Sequence, residues 1–400
     1  MNKNDTMRIE MLSTGDEVLY GQIVDTNSAW LSDFLFQQGF PITSRVTAGD
    51  NLNQLVDMLR ERSKQNDVLI VNGGLGPTSD DLSALAAAMA NNEELVEHAE
   101  WIAEMERYFA QRGRPMSPTN RKQAMLPKSA TIINNPVGTA CGFLVKLNGC
   151  SLFFTPGVPS EFKVMVKDEI LPRLKQMFPN IVTPVCYRLT TLGRSESEIA
   201  AELESQLKLP ENVDLGYRSA MPIIELKLTG PGTKQAEMEK VWQQLKGYVR
   251  DNTIYEGTVG LPKLVTELLT EKGLSLTVSE QYTAGLMAYQ LYDAEAPLTG
   301  SEVTRNQQTS LVEYAKALRQ KNHTDIALVL GDYKQEQKTF EVVLDTQQKT
   351  YHYQLKYISR IYSRTMLQDI FSTVALDMLR RHLSGLSLMT PNIWMEAIEL

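Results

Sequence analysis

The chain has 400 residues, 42% of them hydrophobic and 22% charged, with 40 basic against 48 acidic side chains and a net charge of −8. That length divides into two or three domains at roughly 100 to 200 residues each, and the composition excludes a disordered chain. The negative balance gives no bulk attraction to a nucleic-acid backbone or an anionic membrane, and three cysteines, Cys141, Cys150 and Cys186, form neither a disulfide framework nor a zinc set.

The opening Met-Asn-Lys-Asn-Asp-Thr-Met-Arg holds no apolar stretch fit for a signal peptide, and no later run of about 18 apolar residues suggests a membrane span, so a cytoplasmic protein with no membrane partner is expected. Arg8–Ser13 alternates like a short strand, Thr14-Gly15-Asp16 breaks it, and 27–38 places Trp30, Leu31, Phe34 and Leu35 at helical spacing. Gly39 and Pro41 stop that helix. A strand over 42–46 and a helix over 51–64, with Leu52, Leu55, Val56 and Leu59 on one face, come next. Val68–Val71 is a continuous apolar run, as in a strand buried on both faces of a parallel sheet. The alternation predicts a three-layer, doubly wound α/β domain over 1–170.

The strongest chemical signal follows that strand directly: Gly73-Gly74-Leu75-Gly76-Pro77-Thr78-Ser79-Asp80-Asp81, before a helical stretch over 82–89. Glycines let the main chain turn and present N–H groups, and the following helix adds its positive end, so a phosphate fits. The run has neither the Gly-Lys-Ser/Thr of a Walker loop nor a G-x-G-x-x-G. A tight turn with Thr, Ser and Asp capping the next helix is the plainer alternative. Two adjacent carboxylates beside an anion are costly unless a cation bridges them, which suggests a divalent metal at Asp80 and Asp81; capping is the competing role.

A second group, Thr14-Gly15-Asp16-Glu17 with Gly21, Asp25, Thr26 and Asn27, follows the first strand. Asp16 joins Asp80 and Asp81 as a candidate catalytic carboxylate, and Asp25 and Asn27 either bond a ribose or base or cap their helix. Two further loops, Asn134–Gly142 with Asn135, Gly138 and Thr139, and Thr155–Glu161 with Pro156 and Gly157, join the apolar strands 144–147 and 152–154 to new elements. Their Gly and Pro content is also that of ordinary turns. The four histidines at 98, 323, 352 and 382 show no His-x-x-x-His pair, which argues against a histidine-bound metal or a Ser-His-Asp triad.

A helix over 160–177 leads into a small α+β module at 171–252, with strands 185–191 and 223–228 and helices 195–207 and 234–248. Residues 251–261, with Gly257 and Gly260, read as a linker to a third region, 253–400, with helices near 262–272, 283–291 and 363–383 and strands between them.

Together, Ser13-Thr14-Gly15-Asp16-Glu17, Asp25-Thr26-Asn27, the 73–81 loop, Asn135-Pro136-x-Gly138-Thr139-Ala140, Pro156–Glu161 and Gly193-Arg194-Ser195-Glu196-Ser197 resemble the CinA (competence/damage-inducible) family, specifically over residues 8 to 250. The resemblance implies an N-terminal molybdopterin-binding (MoaB/MogA) fold, a KH-like middle module and a C-terminal domain like the nicotinamide mononucleotide (NMN) deamidases. It also implies a homodimer, and hydrolysis of ADP-ribose through the N-terminal part with a divalent metal (Co, Mg or Mn) and potassium. The Gly-x-x-Gly loop of an RNA-binding KH module is absent between Val185 and Tyr248, so no nucleic-acid partner is expected.

In the C-terminal part the carry-over fails. The deamidases have Thr-Ala-Glu-Ser-Cys-Thr-Gly-Gly with Ser as nucleophile; here the stretch is Val278-Ser279-Glu280-Gln281-Tyr282-Thr283-Ala284-Gly285. Gln281 stands at the nucleophile position, and an amide cannot attack as an activated hydroxyl does. The family's later glycine-rich run is replaced by Val329-Leu330-Gly331-Asp332-Tyr333-Lys334. In the N-terminal half, Cys141 replaces the usual Pro of a Gly-Thr-Ala-Pro-Gly loop, and Ser83 stands where a Thr often follows the Asp pair. The expectation is a metal-dependent ADP-ribose pyrophosphatase with a silent deamidase-like domain; the alternatives are a non-catalytic nucleotide- or pterin-binding protein and residual NMN amidohydrolase activity.

Overall fold

The structure, a computed structural model, describes residues 7–305, 310–360 and 362–400. The reading of the opening six residues lies outside them. Contacts divide the chain into two units, Met1–Pro184 and Val185–Leu400.

The first unit is built in chain order from β1 (Ile9–Thr14), α1 (Asp16–Leu19), α2 (Thr26–Gln37), β2 (Ser44–Ala48), α3 (Leu52–Gln65), β3 (Val68–Asn72), α4 (Ser83–Ala90), β4 (Leu95–Glu97), α5 (Ala99–Gln111), β5 (Met125–Pro127), β6 (Thr131–Ile133), β7 (Gly142–Leu147), β8 (Cys150–Thr155), α6 (Pro159–Met165) and α7 (Leu171–Met177). Its main sheet has the order β2-β1-β3-β8-β7-β6. The first four strands are parallel, and β7 and β6 return antiparallel.

All five residues of β3 are buried because helices cover both faces of the sheet. One face packs Leu12, Leu69, Val71 and Phe154 against α3, α4 and α5; the other packs Ile9, Met11, Ile70 and Phe153 against α2, α6 and α7. This is the three-layer α/β domain read from the sequence. Residue 170, where the first boundary was expected, lies within the helical run from Pro159 to Met177, which is held to the sheet by Phe162, Met165, Ile170 and Leu174; the contacts divide the chain after Pro184.

The second unit holds two sheets. The smaller, β10-β11-β9-β12, combines β9 (Pro184–Leu192), β10 (Asp214–Ala220), β11 (Ile223–Pro231) and β12 (Thr253–Glu256) with α8 (Glu196–Gln206) and α9 (Gln235–Val249). Ser195 and Glu198 close α8 with a capping box. The predicted linker at 251–261 is corrected in part: Thr253–Glu256 pairs antiparallel with β9, and Glu256 accepts from the Trp242 indole at 2.5 Å. The larger sheet, β14-β13-β15-β16-β17-β18, is formed by β13 (Leu276–Glu280), β14 (Leu298–Val303), β15 (Ile326–Leu330), β16 (Thr339–Thr346), β17 (Thr350–Tyr357) and β18 (Met395–Glu399). Its helices are α10 (Leu261–Lys272), α11 (Leu286–Asp293), α12 (Leu311–Lys321) and the long α13 (Arg364–Leu383). α11 starts three residues later than predicted, because Ala284 and Gly285 take positive φ values of 55° and 96° and hold the chain out of helix.

Candidate active site

In the order β2-β1-β3 the chain steps from β1 to β2 on one side and then crosses back to β3 on the other, so a crevice opens at the carboxyl ends of the parallel strands. The loops after β1, β2, β3 and β8 meet there around a cleft of about 530 Å³.

The glycine run forms one wall. Gly73 has φ 114°, and a Cβ on it would lie 2.7 Å from the Thr14 carbonyl oxygen, so only glycine lets β3 turn this close to β1. Its N–H donates to the Thr155 carbonyl, and the following Gly74, Leu75 and Gly76 line the cleft. Ser83, at the start of α4, donates its hydroxyl to the Gly73 carbonyl at 2.7 Å.

The other loops are fastened by two asparagines. Asn27 Nδ2 donates to Asn72 Oδ1 at 3.0 Å and to the Gly157 carbonyl at 2.8 Å, while Asn72 Nδ2 donates to the Pro156 carbonyl at 2.7 Å. Asn27 Oδ1 is buried without a hydrogen-bond partner. Asn72 is a residue the sequence reading missed. Asp25 lines the cleft while capping α2 through Ser28 N–H (2.9 Å) and accepting the Ser13 hydroxyl (2.6 Å).

The predicted carboxylates part company. Asp80 and Asp81 both line the cleft, and neither caps α4. Asp81 Oδ2 accepts the N–H and hydroxyl of Thr78 at 2.9 and 2.6 Å. Thr78 is therefore a brace for the acidic turn and is not itself on the cleft wall. Its hydroxyl, together with the Asp80 N–H and the nearby Lys122 ammonium, holds the Asp80 carboxyl below the usual carboxylate range. Lys122 donates to the carbonyls of Thr78 and Asp81.

Asp16 is not among the lining residues: its Oδ1 accepts the Asp50 N–H, and Asp50 Oδ2 accepts the Asp16 N–H, each at 3.1 Å. Asp50, unmarked in the sequence, is the carboxylate of this pair that faces the cleft. Burial first, then the charges of Asp16, Glu17 and Asp80, pushes its carboxyl up.

The third loop also divides. Thr139 lines the cleft, whereas Asn135, 3% exposed, turns inward: Oδ1 accepts the N–H groups of Val137 and Gly138, and Nδ2 donates to Glu161 Oε2 at 2.7 Å. A Cβ on Gly138 would lie 2.3 Å from the Glu161 carboxylate, so that glycine makes room for Glu161, which lines the cleft with Pro156 and Gly157. Cys141 is buried, and desolvation pushes its thiol up to about 12, so it carries no nucleophile.

Among the described residues no three His, Cys, Asp or Glu side chains gather as a metal set. The carboxylates of Asp50, Asp80 and Asp81 on the cleft wall are oxygen donors, the type of ligand that magnesium takes.

At the position that the resemblance aligns with the deamidase nucleophile, Gln281 follows β13 with its N–H on the Leu330 carbonyl. Ser279 is fully buried, its hydroxyl 3.1 Å from Tyr314 Oη. Glu280 accepts the N–H groups of Met287 and Ala288 at 3.0 and 2.7 Å. Tyr282, Tyr333 and Phe371 pack together with ring centroids 5.2 to 5.5 Å apart.

The first unit is a three-layer α/β domain with a glycine run at the switch point of its sheet, and residues 10–176 match the family model described as a probable molybdopterin binding domain. This is the MoaB/MogA-type fold. A "CinA-like protein" of Shigella flexneri is 54% identical over 396 residues, 98% of each chain. The "NMN amidohydrolase-like protein YfaY" of Escherichia coli (strain K12) matches with the same identity and coverage. The solved structure of the protein CinA from Thermoplasma acidophilum is 29% identical and covers 40% of this chain and 95% of its own, with a TM-score of 0.38. The chain belongs to the CinA-like protein family. No helix among the described residues is long and apolar enough to cross a membrane.

Proposed function

We propose that the first unit is a metal-dependent nucleotide pyrophosphatase that hydrolyses ADP-ribose to AMP and ribose 5-phosphate. One observation carries this reading: the glycine cradle of Gly74–Gly76 and the carboxylates Asp50, Asp80 and Asp81 line the same cleft. An anion cradle beside ionised carboxylates repels its own ligand unless a cation neutralises the contact. Asp80 and Asp81, joined by Asp50, would hold a divalent ion; once bound it polarises a phosphoryl oxygen and lowers the pKa of a water. The chain's own groups orient the substrate. Main-chain N–H groups of the cradle fix the diphosphate, Thr78 and Lys122 hold the acidic turn in place, and the Asn27–Asn72 link keeps the facing loops at their spacing. Water adds at one phosphorus as the P–O–P bond breaks, and a proton is released to solvent. Potassium, a homodimer and a cytoplasmic setting belong to the same reading through the family resemblance.

The NMN amidohydrolase chemistry in the printed name of the Escherichia coli relative is, in this reading, silent here. Gln281 offers no nucleophile, the Ser279 hydroxyl is buried beside Tyr314, and the ring of the next residue, Tyr282, packs on Tyr333 and Phe371. A second reading, a nucleotide- or pterin-binding protein without turnover, is favoured by the carboxylates of Asp25 and Asp81 being engaged in bonds within the protein. The deciding experiment offers ADP-ribose to the purified chain with Mg²⁺, Mn²⁺ or Co²⁺, with and without K⁺, and follows AMP. Metal-dependent release that disappears in an Asp80→Asn, Asp81→Asn double variant is expected; full activity in that variant overturns the metal assignment, and binding without turnover selects the second reading.

A further inference from the structure

The carboxylates on the cleft wall are not equivalent. Asp25 and Asp81 each accept two hydrogen bonds from within the protein, Asp80 is held in the acidic turn by Thr78, and Asp50 accepts the Asp16 N–H. Glu161 comes from a different element, the first turn of α6, and its surroundings hold one of its oxygens and leave the other bare.

The loop that leads to Glu161 runs directly against the glycine run. Gly73 donates its N–H to the Thr155 carbonyl, and a Cβ on Gly157 would lie 3.7 Å from the Gly73 Cα. Pro159 then opens α6 with a φ already suited to a helix, and the fully buried Phe162 pins the same turn to the sheet. Glu161, between these two anchors, is half-buried on the cleft wall.

The support behind it is complete. Asn135 Oδ1 accepts the N–H groups of Val137 and Gly138 at 3.2 and 3.1 Å, and Nδ2 donates to the Ala140 carbonyl at 2.8 Å and to Glu161 Oε2 at 2.7 Å. Turning the amide over would set its NH2 against two N–H donors, so its orientation is fixed. On another side Gly138 stands so close that a Cβ there would lie 2.3 Å from Oε2 and 2.6 Å from Oε1. Oε1 itself makes no hydrogen bond among the described residues. A carboxylate clamped by one oxygen and open at the other is oriented before a reaction begins, as a general base must be.

We infer that Glu161 is the base of the hydrolysis proposed for this cleft, with Asn135 and Gly138 as its positioning residues. The inference rests on the pyrophosphatase reading. As the water oxygen bonds to phosphorus, one of its O–H bonds breaks and the proton passes to Glu161 Oε1; the P–O–P bond breaks with its electron pair leaving on the bridging oxygen. Glu161 then returns the proton to solvent.

The test follows AMP release from ADP-ribose by the full-length protein with Mg²⁺ or Mn²⁺, and measures AMP binding by calorimetry. Glu161→Gln keeps the shape of the side chain but takes no proton, Glu161→Ala leaves room for a free carboxylate, and Gly138→Ala displaces the carboxylate without removing it. In each, kcat should fall about a hundredfold or more, with AMP affinity within about threefold of the unmodified protein. Added formate should restore turnover to Glu161→Ala and not to Glu161→Gln, whose amide fills the space. A kcat in Glu161→Gln within about tenfold of the unmodified value overturns the assignment. So does an equal loss of AMP affinity, which would make Glu161 a ligand contact, and so does a loss in Glu161→Ala that formate does not lift, which would make its role structural. An unmodified protein that cleaves no ADP-ribose removes the pyrophosphatase and the base together, whereas an active unmodified protein with an equally active Glu161→Gln removes the base alone.

Discussion

Asn27 and Asn72, 45 residues apart in the chain, meet side chain to side chain, with Asn27 Nδ2 3.0 Å from Asn72 Oδ1. Through this contact and their bonds to the Pro156 and Gly157 carbonyls, the loops after β1, β3 and β8 are locked at one spacing. Asn72→Leu leaves the Asn27 amide with only its bond to the Gly157 carbonyl and takes from the Pro156 carbonyl its Asn72 donor. A stability loss of about 2 kcal/mol is expected by chemical denaturation, with nucleotide affinity falling as well; unchanged stability would show that the loops hold their spacing without the asparagine pair.

Gly73 needs its absent side chain for two reasons, the positive φ and the 2.7 Å approach to Thr14. Gly73→Ala should destabilise the protein by at least about 2 kcal/mol, and ligand binding should be lost even where the protein remains folded. Thermal melts and calorimetry on the same sample separate the two effects, and an alanine variant that binds normally would refute the close approach.

Asp50 gives a pH-dependent stability of defined sign. Its carboxyl is raised by burial and by Asp16, Glu17 and Asp80, so between the ordinary aspartate pKa and the raised value the folded state binds the extra proton. Stability therefore falls as pH rises through that window. Asp50→Asn removes the loss. Its Tm should exceed that of the unmodified protein at pH 7, with the difference vanishing below the ordinary aspartate range; a lower Tm at pH 7 would mean that the bond to the Asp16 N–H outweighs the repulsion.

A hydroxyl at position 281 is not expected to produce an amidohydrolase. In Gln281→Ser the new side chain still lies next to Tyr282, whose ring packs on Tyr333 and Phe371, and the stretch still lacks the family's Cys-Thr-Gly-Gly. Ammonia release from NMN should stay at background in the variant; release above background would show that the nucleophile was the one missing part.

The glycine loop and its strand were legible because both signals are local: a buried apolar run, then glycines, then a helix. Asp50 and Asn72 were not, since each is a single polar residue near the end of a strand whose neighbours in space are distant in sequence. A topological signal for Asp50 existed, because β2 lies beside β1 and its following loop must open onto the same edge. Asn135 and Thr78 were read as ligand contacts on the strength of their loops, and the structure turns both into braces, for Glu161 and Asp81. Thr253–Glu256 read as linker because Gly257 and Gly260 dominate the local pattern; its pairing with Leu189–Thr191 is a long-range fact that no window over 251–261 contains.

The parallel pairing of β3 with β8 brings Asn72 against Thr155, 83 positions later in the chain. Such distant pairings close large loops and form slowly, whereas the β7–β8 hairpin is local. A polypeptide leaving the ribosome carries its glycine loop long before the strand that completes it exists. The cleft is therefore a late product of folding, and any ligand that needs the finished cleft can stabilise the completed domain but cannot template its early stages.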